Sequence, residues 1–301
     1  NLTGAYLRGN ITTENGAKVT INLTNSDWVA CPYTFVLGEN VTLNVNYGLF
    51  YYAGGSQING TVVTGAYYQR YGGTKLTINE PGSMTVTSET CIIRYMDGDA
   101  NAGIYINGDN NDETIGLKLA VAYFYQGMIN AKDANIQAGT YWQTNETDGQ
   151  GSANLVLDNS KLVVYVYDHP AKATGNSTVT LTNGSTLDAL NGGFTYGDNT
   201  TLSVDATSKI IDKGGEEVKL PVAQIGTTKY TSLQAAFNAV QDGETITLVD
   251  NVTISAATAG YTDGTYTDGV RYTGDKSFTV DFNGKTVTDD GCVNDYLIYI
   301  N

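Results

Sequence analysis

The chain has 301 residues and a formal net charge of −15, with 16% of its residues charged against roughly 25% in an ordinary soluble protein. Its 16 Lys and Arg form no basic block, which argues against nucleic acid and anionic lipid surfaces as partners, since both need cations set against phosphates. With 41 Thr, 35 Gly, 28 Asn and 22 Tyr, and with alternating Thr/Val/Leu/Ile runs broken by Asn-Gly and Gly-Gly pairs, the composition describes a β-protein.

In chain order, the opening Asn1-Leu2-Thr3-Gly4 lacks the basic start and apolar run of a signal peptide. The expectation is the mature part of a secreted protein, or a window from a longer array. Val19-Thr20-Ile21-Asn22-Leu23, followed by Ser26, is the first copy of a recurring phrase. The phrase is an alternating apolar strand, a short polar corner, a Ser and a second apolar strand. Leu76-Thr77-Ile78 with Ser83 is the next copy. The clearest are Leu155-Val156-Leu157-Asp158-Asn159-Ser160-Lys161-Leu162, then Val179 to Leu187 around Ser185, then Leu202 to Ile210 around Ser208. Serines 160, 185 and 208 stand 25 and 23 residues apart, and Ser26, Ser83 and Ser160 are separated by 57 and 77, near two and three such units.

A period in the low twenties that carries strands instead of a helix fits one coil of a solenoid, with coils stacked about 4.8 Å apart. The expected fold is all-β, a right-handed parallel β-helix with Val, Leu and Ile in inward columns and Thr, Ser and Asn facing water. An antiparallel sandwich with hairpins at the Asn-Gly pairs is the alternative.

Between the early copies lie aromatic clusters: Tyr47, Phe50, Tyr51 and Tyr52 in one loop, then Tyr67, Tyr68, Arg70 and Tyr71 in the next. Tyr123, Phe124 and Tyr125 follow, then Tyr141 and Trp142. Tyr among Gly, Asn and Ser is the composition of adaptable binding surfaces, and aromatic faces stack on sugar rings. The expected ligand contacts are Tyr51, Tyr52, Tyr67, Tyr68, Arg70, Tyr71, Tyr123, Tyr125 and Trp142. The competing reading buries these rings in the solenoid.

Asp97, Asp99 and Asn101 begin an acidic insertion with oxygens suited to Ca2+, but an EF-hand pattern fails at Ala102 and Gly108, and a solvated loop is the simpler reading. No other cofactor is expected. The longest apolar stretch, Leu117 to Tyr125, is broken by Lys118 and is too short to cross a bilayer. Cys31, Cys91 and Cys292 lack metal-ligand spacing and read as unpaired core residues, with a Cys31–Cys91 bridge as the minor alternative. Ten N-x-[ST] sequons, several inside strands, read as by-products of a Thr/Asn-rich code.

His169 is the only histidine and reads as a turn residue beside Pro170. Four arginines without an Arg-x-Lys phrase, and an acidic pair Asp289-Asp290 without surrounding motif, leave a lyase or hydrolase as a minor alternative. The polar run from Asp212 to Pro221 divides a β-helix domain, residues 1–211, from a second module at 223–301, with residues 212–222 as linker. In that module Thr231-Ser232-Leu233-Gln234 has capping-box spacing. Leu233, Ala236, Phe237 and Val240 make an apolar stripe and Gly243 is a stop, so an amphipathic cap helix is expected at about 232–241.

Val222 to Gly226, Tyr230 to Ala236 and Asp242 to Leu248 together resemble the entry module of pectate-lyase-like right-handed β-helices found in large secreted surface proteins of Gram-positive, often gut-dwelling, bacteria. Phe278 to Val287 is similar to the next coil. The resemblance covers about 80 residues and implies fold, extracellular location and adhesin-like use, without an activity. The expected function is binding of host glycan or glycoprotein, immunoglobulin included, through the Tyr-rich loops. Adjacent repeats of the same chain are further expected partners. A purely structural stalk is the alternative.

Overall fold

A computed structural model describes residues 6–301, apart from 25–26, 70–72, 89–90, 94–100, 110–114, 145–152, 167–168, 198, 206, 257 and 263–264. The chain divides into two compact units, Asn1–Val218 and Lys219–Asn301.

The first unit is a parallel β-helix of nine coils. One wall is a nine-stranded sheet running from Gly9–Ile11 through Lys75–Asn79 and Ala153–Asp158 to Thr201–Val204. The rest of each coil belongs to a 13-stranded sheet that bends. In four coils a single long strand crosses the bend: Val41–Tyr51, Thr61–Gln69, Ile115–Phe124 and Asn135–Gln143. In four others two short strands replace it, as Lys161–Val164 and Ala171–Ala173 do, and the ninth has Lys209–Ile211 alone among the described residues. The part before the bend is called here the proximal wall and the part after it the distal wall. All the pairings of this unit's strands are parallel and nearly in register, which excludes the sandwich.

Register turns the alternation of the sequence into columns. On the proximal wall Leu43, Val62, Met84, Leu117, Ile136, Leu162, Leu187 and Ile210 succeed one another inward, all buried. Burying one such side chain contributes about 1.5–3 kcal/mol, so a column repeated on every wall supplies the main drive for coiling.

The corner serines form a ladder. Ser160 Oγ accepts from the Ala134 N–H, Ser185 Oγ from the Ser160 N–H, and Ser208 Oγ from the Ser185 N–H, each at 3.0 Å. The first two hydroxyls then donate to carbonyls of their own coils, Asp158 and Thr182. The corner turns within a few residues, where Asn159 (φ +46°) and Asn183 (φ +56°) take the left-handed region that Asn tolerates. Their side chains join the ladder: Asn159 donates to Asp133 Oδ1 (2.9 Å) and Asn183 to Asp158 Oδ1 (2.6 Å). Asp205 accepts from the Ser208 hydroxyl and the Asn183 N–H, which hold its carboxyl below the usual carboxylate range. Ser83 also opens a proximal strand, Ser83–Val86. The Val19 copy is phased differently, because Val19–Leu23 is itself a proximal strand paired with Val41–Tyr51.

The stretch read as a linker begins as a cap on the ninth coil. Asp212 and Glu216 are joined by a backbone hydrogen bond (2.7 Å), Ile211 bridges Glu217, and the Val218 N–H donates to the Ile210 carbonyl (2.9 Å). The unit boundary therefore follows Val218.

The second unit has two stacked coils. Thr245–Leu248 pairs in parallel with Thr279–Asp281, Val252–Ile254 with Val287–Asp289, and Val270–Tyr272 with Ile298–Ile300. Ala223–Ile225 lies antiparallel on the other edge of Thr245–Leu248 and hairpins to Thr228–Tyr230. This covers an edge that would otherwise present unpaired amides. The short helix is Leu233–Ala239, which buries Leu233, Ala236 and Phe237. Its N-cap is Ser232, whose Oγ accepts from the Ala235 N–H. Gln234 does not complete a capping box. Its amide spans the Arg271 backbone, accepting from N–H at 2.8 Å and donating to C=O at 2.9 Å.

Cys31 and Cys292 are free thiols, so a Cys31–Cys91 bridge is absent. Burial pushes the Cys31 thiol up to about 12. Among the described residues no helix is long and apolar enough to cross a membrane.

Candidate binding surface

The aromatic residues expected in loops lie mostly on strands. Period-two alternation therefore separates neighbours in sequence onto opposite faces of the distal wall. Tyr51 and Tyr67 are each 1% exposed, which corrects the expectation that they contact a ligand. The Tyr51 hydroxyl donates to the Lys75 carbonyl (2.6 Å), and burial raises its pKa. The Tyr67 hydroxyl donates to Gln69 Oε1 (2.8 Å), and Gln69 Nε2 donates onward to Thr74 and Gly103 carbonyls. Tyr141 and Gln143 repeat this pair (2.9 Å), with Gln143 Nε2 donating to the Ala153 and Thr178 carbonyls. Burial holds the Tyr141 phenol above its ordinary value. These inward tyrosines each take their hydroxyl to an internal acceptor, the condition for burying a phenol.

The residues between them face outward and fall into register. Ala30, Phe50, Tyr68, Tyr123, Trp142, Lys172 and Thr195 occupy one column of paired positions, in which the backbone of Ile92 links Tyr68 to Tyr123. From Phe50 to Trp142 is four strand steps, roughly 19 Å at about 4.8 Å each. Phe50 and Tyr68 stack at 5.3 Å between ring centroids, and Phe50 meets Tyr52 at 5.1 Å. Two coils further on, Tyr123 meets Trp142 edge-on at 5.9 Å and lies nearly parallel to Tyr125 at 6.4 Å. Lys172 Nζ sits 5.8 Å from the Trp142 ring. Trp142 is 36% exposed, while Phe50, Tyr52, Tyr68, Tyr123 and Tyr125 are half-buried.

Trp28, in the first coil, extends the surface. Its ring approaches Tyr47 at 5.6 Å and Tyr68 at 6.5 Å. It lies over Gly48, where a Cβ would stand 2.8 Å from the indole. Glycine is therefore required for the ring to lie down on the wall.

Of the residues expected at a site, the distal wall gathers Tyr52, Tyr68, Tyr123, Tyr125 and Trp142. Arg70 and Tyr71 lie outside the described residues, as do Asp97 and Asp99. Asn101 is an exposed turn residue whose carbonyl accepts from the Tyr105 hydroxyl. Sequence reasoning placed Phe50 in an aromatic cluster without naming it a contact, and missed Trp28 and Lys172 as members of the surface. Only the pairing of Trp28 with Gly48, and of Trp142 with Lys172, reveals them. Among the described residues, Asp289, Asp290 and Cys292 bring three donor atoms within 4.8 Å of one another in an exposed turn of the second unit.

No protein-family model matches the chain, and neither a curated protein nor a solved structure matches it.

Proposed function

We propose that this β-helix is a non-catalytic, adhesin-like binding module of a secreted or cell-surface bacterial protein, and that its distal wall holds a host glycan or glycoprotein. One observation carries the reading: Phe50, Tyr68, Tyr123 and Trp142 share a single outward column on consecutive or near-consecutive coils. The coil rise of about 4.8 Å is close to the length of one sugar in an extended polysaccharide, so a chain laid along the axis meets a ring at nearly every unit. Rings held by their neighbours lose little freedom on binding, which favours affinity for a weakly apolar ligand. A net charge of −15 disfavours polyanionic ligands and points to neutral glycans.

The second reading is a stalk, favoured by the rings packing on one another and so stiffening the wall. A screen of the purified chain against neutral oligosaccharides, host glycoproteins and immunoglobulin separates the two. Trp142→Ala and Tyr68→Ala should each weaken binding about tenfold, equivalent to about 1.4 kcal/mol. Absence of binding to every probe would replace the adhesin reading with the stalk.

A further inference from the structure

Beside the aromatic column, where the long strands bend, lies a groove of about 420 Å3 with no ionisable side chain among the described residues of its lining. Its outward side chains are Asn22, Thr24, Asn44, Asn46, Val63 and Thr87. Two adjacent columns build it. Asn22, Asn44 and Val63 are paired on successive coils, and Asn46, Gly65 and Thr87 follow two residues further along. Gly65 makes the floor. A Cβ there would stand 2.3 Å from the Tyr47 carbonyl oxygen, because the strand pairing shifts between Val45 and Gly48 and the backbones draw together. The depth of the groove is thus a consequence of the bulge.

Its chemistry is amide chemistry. Asn44 Nδ2 donates to Asn22 Oδ1 at 2.8 Å, which fixes both amide planes and leaves the Asn22 NH2 group and the Asn44 carbonyl oxygen turned to other partners. Asn46 is exposed, one residue before Tyr47, which is 48% exposed and packs on Trp28. Amide donors and acceptors, one valine and a glycine floor therefore lie against the rim of the aromatic surface.

We infer that this groove is an acetamido subsite, which selects neutral glycans containing N-acetylhexosamine over their unacetylated counterparts. The acetamido N–H and C=O pair with the asparagine amides, its methyl group covers Val63, and the adjoining sugars run onto the aromatic column. An acidic sugar gains nothing from the described lining, which contains no cation. The inference rests on the proposed glycan reading and adds the ligand class.

The test is titration calorimetry of the chain with N-acetylglucosamine tetrasaccharide and with the glucose tetrasaccharide of the same linkage. The expected result is about tenfold tighter binding of the acetylated probe. Asn46→Ala combined with Val63→Thr should abolish that preference while leaving the glucose affinity unchanged, and Trp142→Ala should weaken both probes. Equal affinity of the wild type for the two probes, or a preference that survives the double substitution, overturns the acetamido subsite and leaves the aromatic surface standing. Binding of neither probe overturns the subsite as well, and if no other glycan binds, the glycan reading falls with it. An unchanged unfolding midpoint for each variant shows that the fold is intact. Should the double variant unfold, Asn46→Ala alone, at an exposed position, carries the same test.

Discussion

In four coils the proximal and distal walls are made by the same strand, yet they show the solvent different chemistry. Along Thr61–Gln69, the outward residues before the bend are Thr61 and Val63, and the outward ring after it is Tyr68. Across the coils the proximal wall shows positions such as Thr42, Asn44, Thr85 and Gln137, while the distal wall shows Phe50, Tyr68, Tyr123 and Trp142. Inside, both walls carry columns of buried residues among the described residues. The inward half of the code therefore makes the coil, and the outward half is free to differ from wall to wall.

The sharpest way to break that division is to compare neighbours pointing opposite ways. Tyr141→Ala removes a fully buried ring and the phenol that satisfies Gln143, and should destabilise the first unit by about 3–5 kcal/mol. Trp142→Ala, one residue on, should cost less than about 1 kcal/mol. Urea midpoints of the two variants check both figures, and equal losses would show that the outward rings are structural.

At the corners the effect is smaller. Ser185→Ala deprives the buried Ser160 N–H of its acceptor and should cost about 1–3 kcal/mol, whereas a substitution of the solvent-facing Thr180 should be nearly neutral by the same measurement. Asn183→Ala forces a Cβ residue without a local hydrogen bond into φ +56° and should cost about 1–2 kcal/mol, with Asn183→Gly recovering the backbone part of that loss.

The last expected effect is on pH dependence and is confined to alkaline pH. Burial raises the Cys31 thiol from 9.0 to about 12, so between those values the folded protein keeps a proton that the unfolded chain has released. Its contribution is complete below pH 9 and is lost as pH rises towards 12. Thiol labelling with iodoacetamide at pH 8.5, followed by peptide mapping, should leave Cys31 unmodified in the native state and modify it in urea. Rapid native labelling would contradict its burial.

The inward code was largely legible in the sequence. The Ser160, Ser185 and Ser208 corners announce the coil because each corner repeats the same hydrogen bond to its neighbour. The cap helix was legible through Ser232 and the Leu233/Phe237 stripe. The Val19 copy was misphased, because an alternating strand reads alike on any wall. The candidate surface was legible only as composition. Tyr67 and Tyr68 are adjacent letters on opposite faces. The pairing of Tyr68 with Ile92 and of Ile92 with Tyr123 spans insertions of unequal length, so the column exists in register and not in spacing. Gln69 and Gln143 escaped notice as well, since a glutamine beside a tyrosine does not advertise that both are buried.

The most direct test of the separation between a coil-forming interior and a binding exterior is one protein in which Phe50, Tyr68, Tyr123 and Trp142 are all changed to Ser, assayed for unfolding midpoint and for neutral-glycan binding together. Retention of the cooperative unfolding transition with loss of glycan binding is the predicted result. Binding that persists without these four rings would contradict the account.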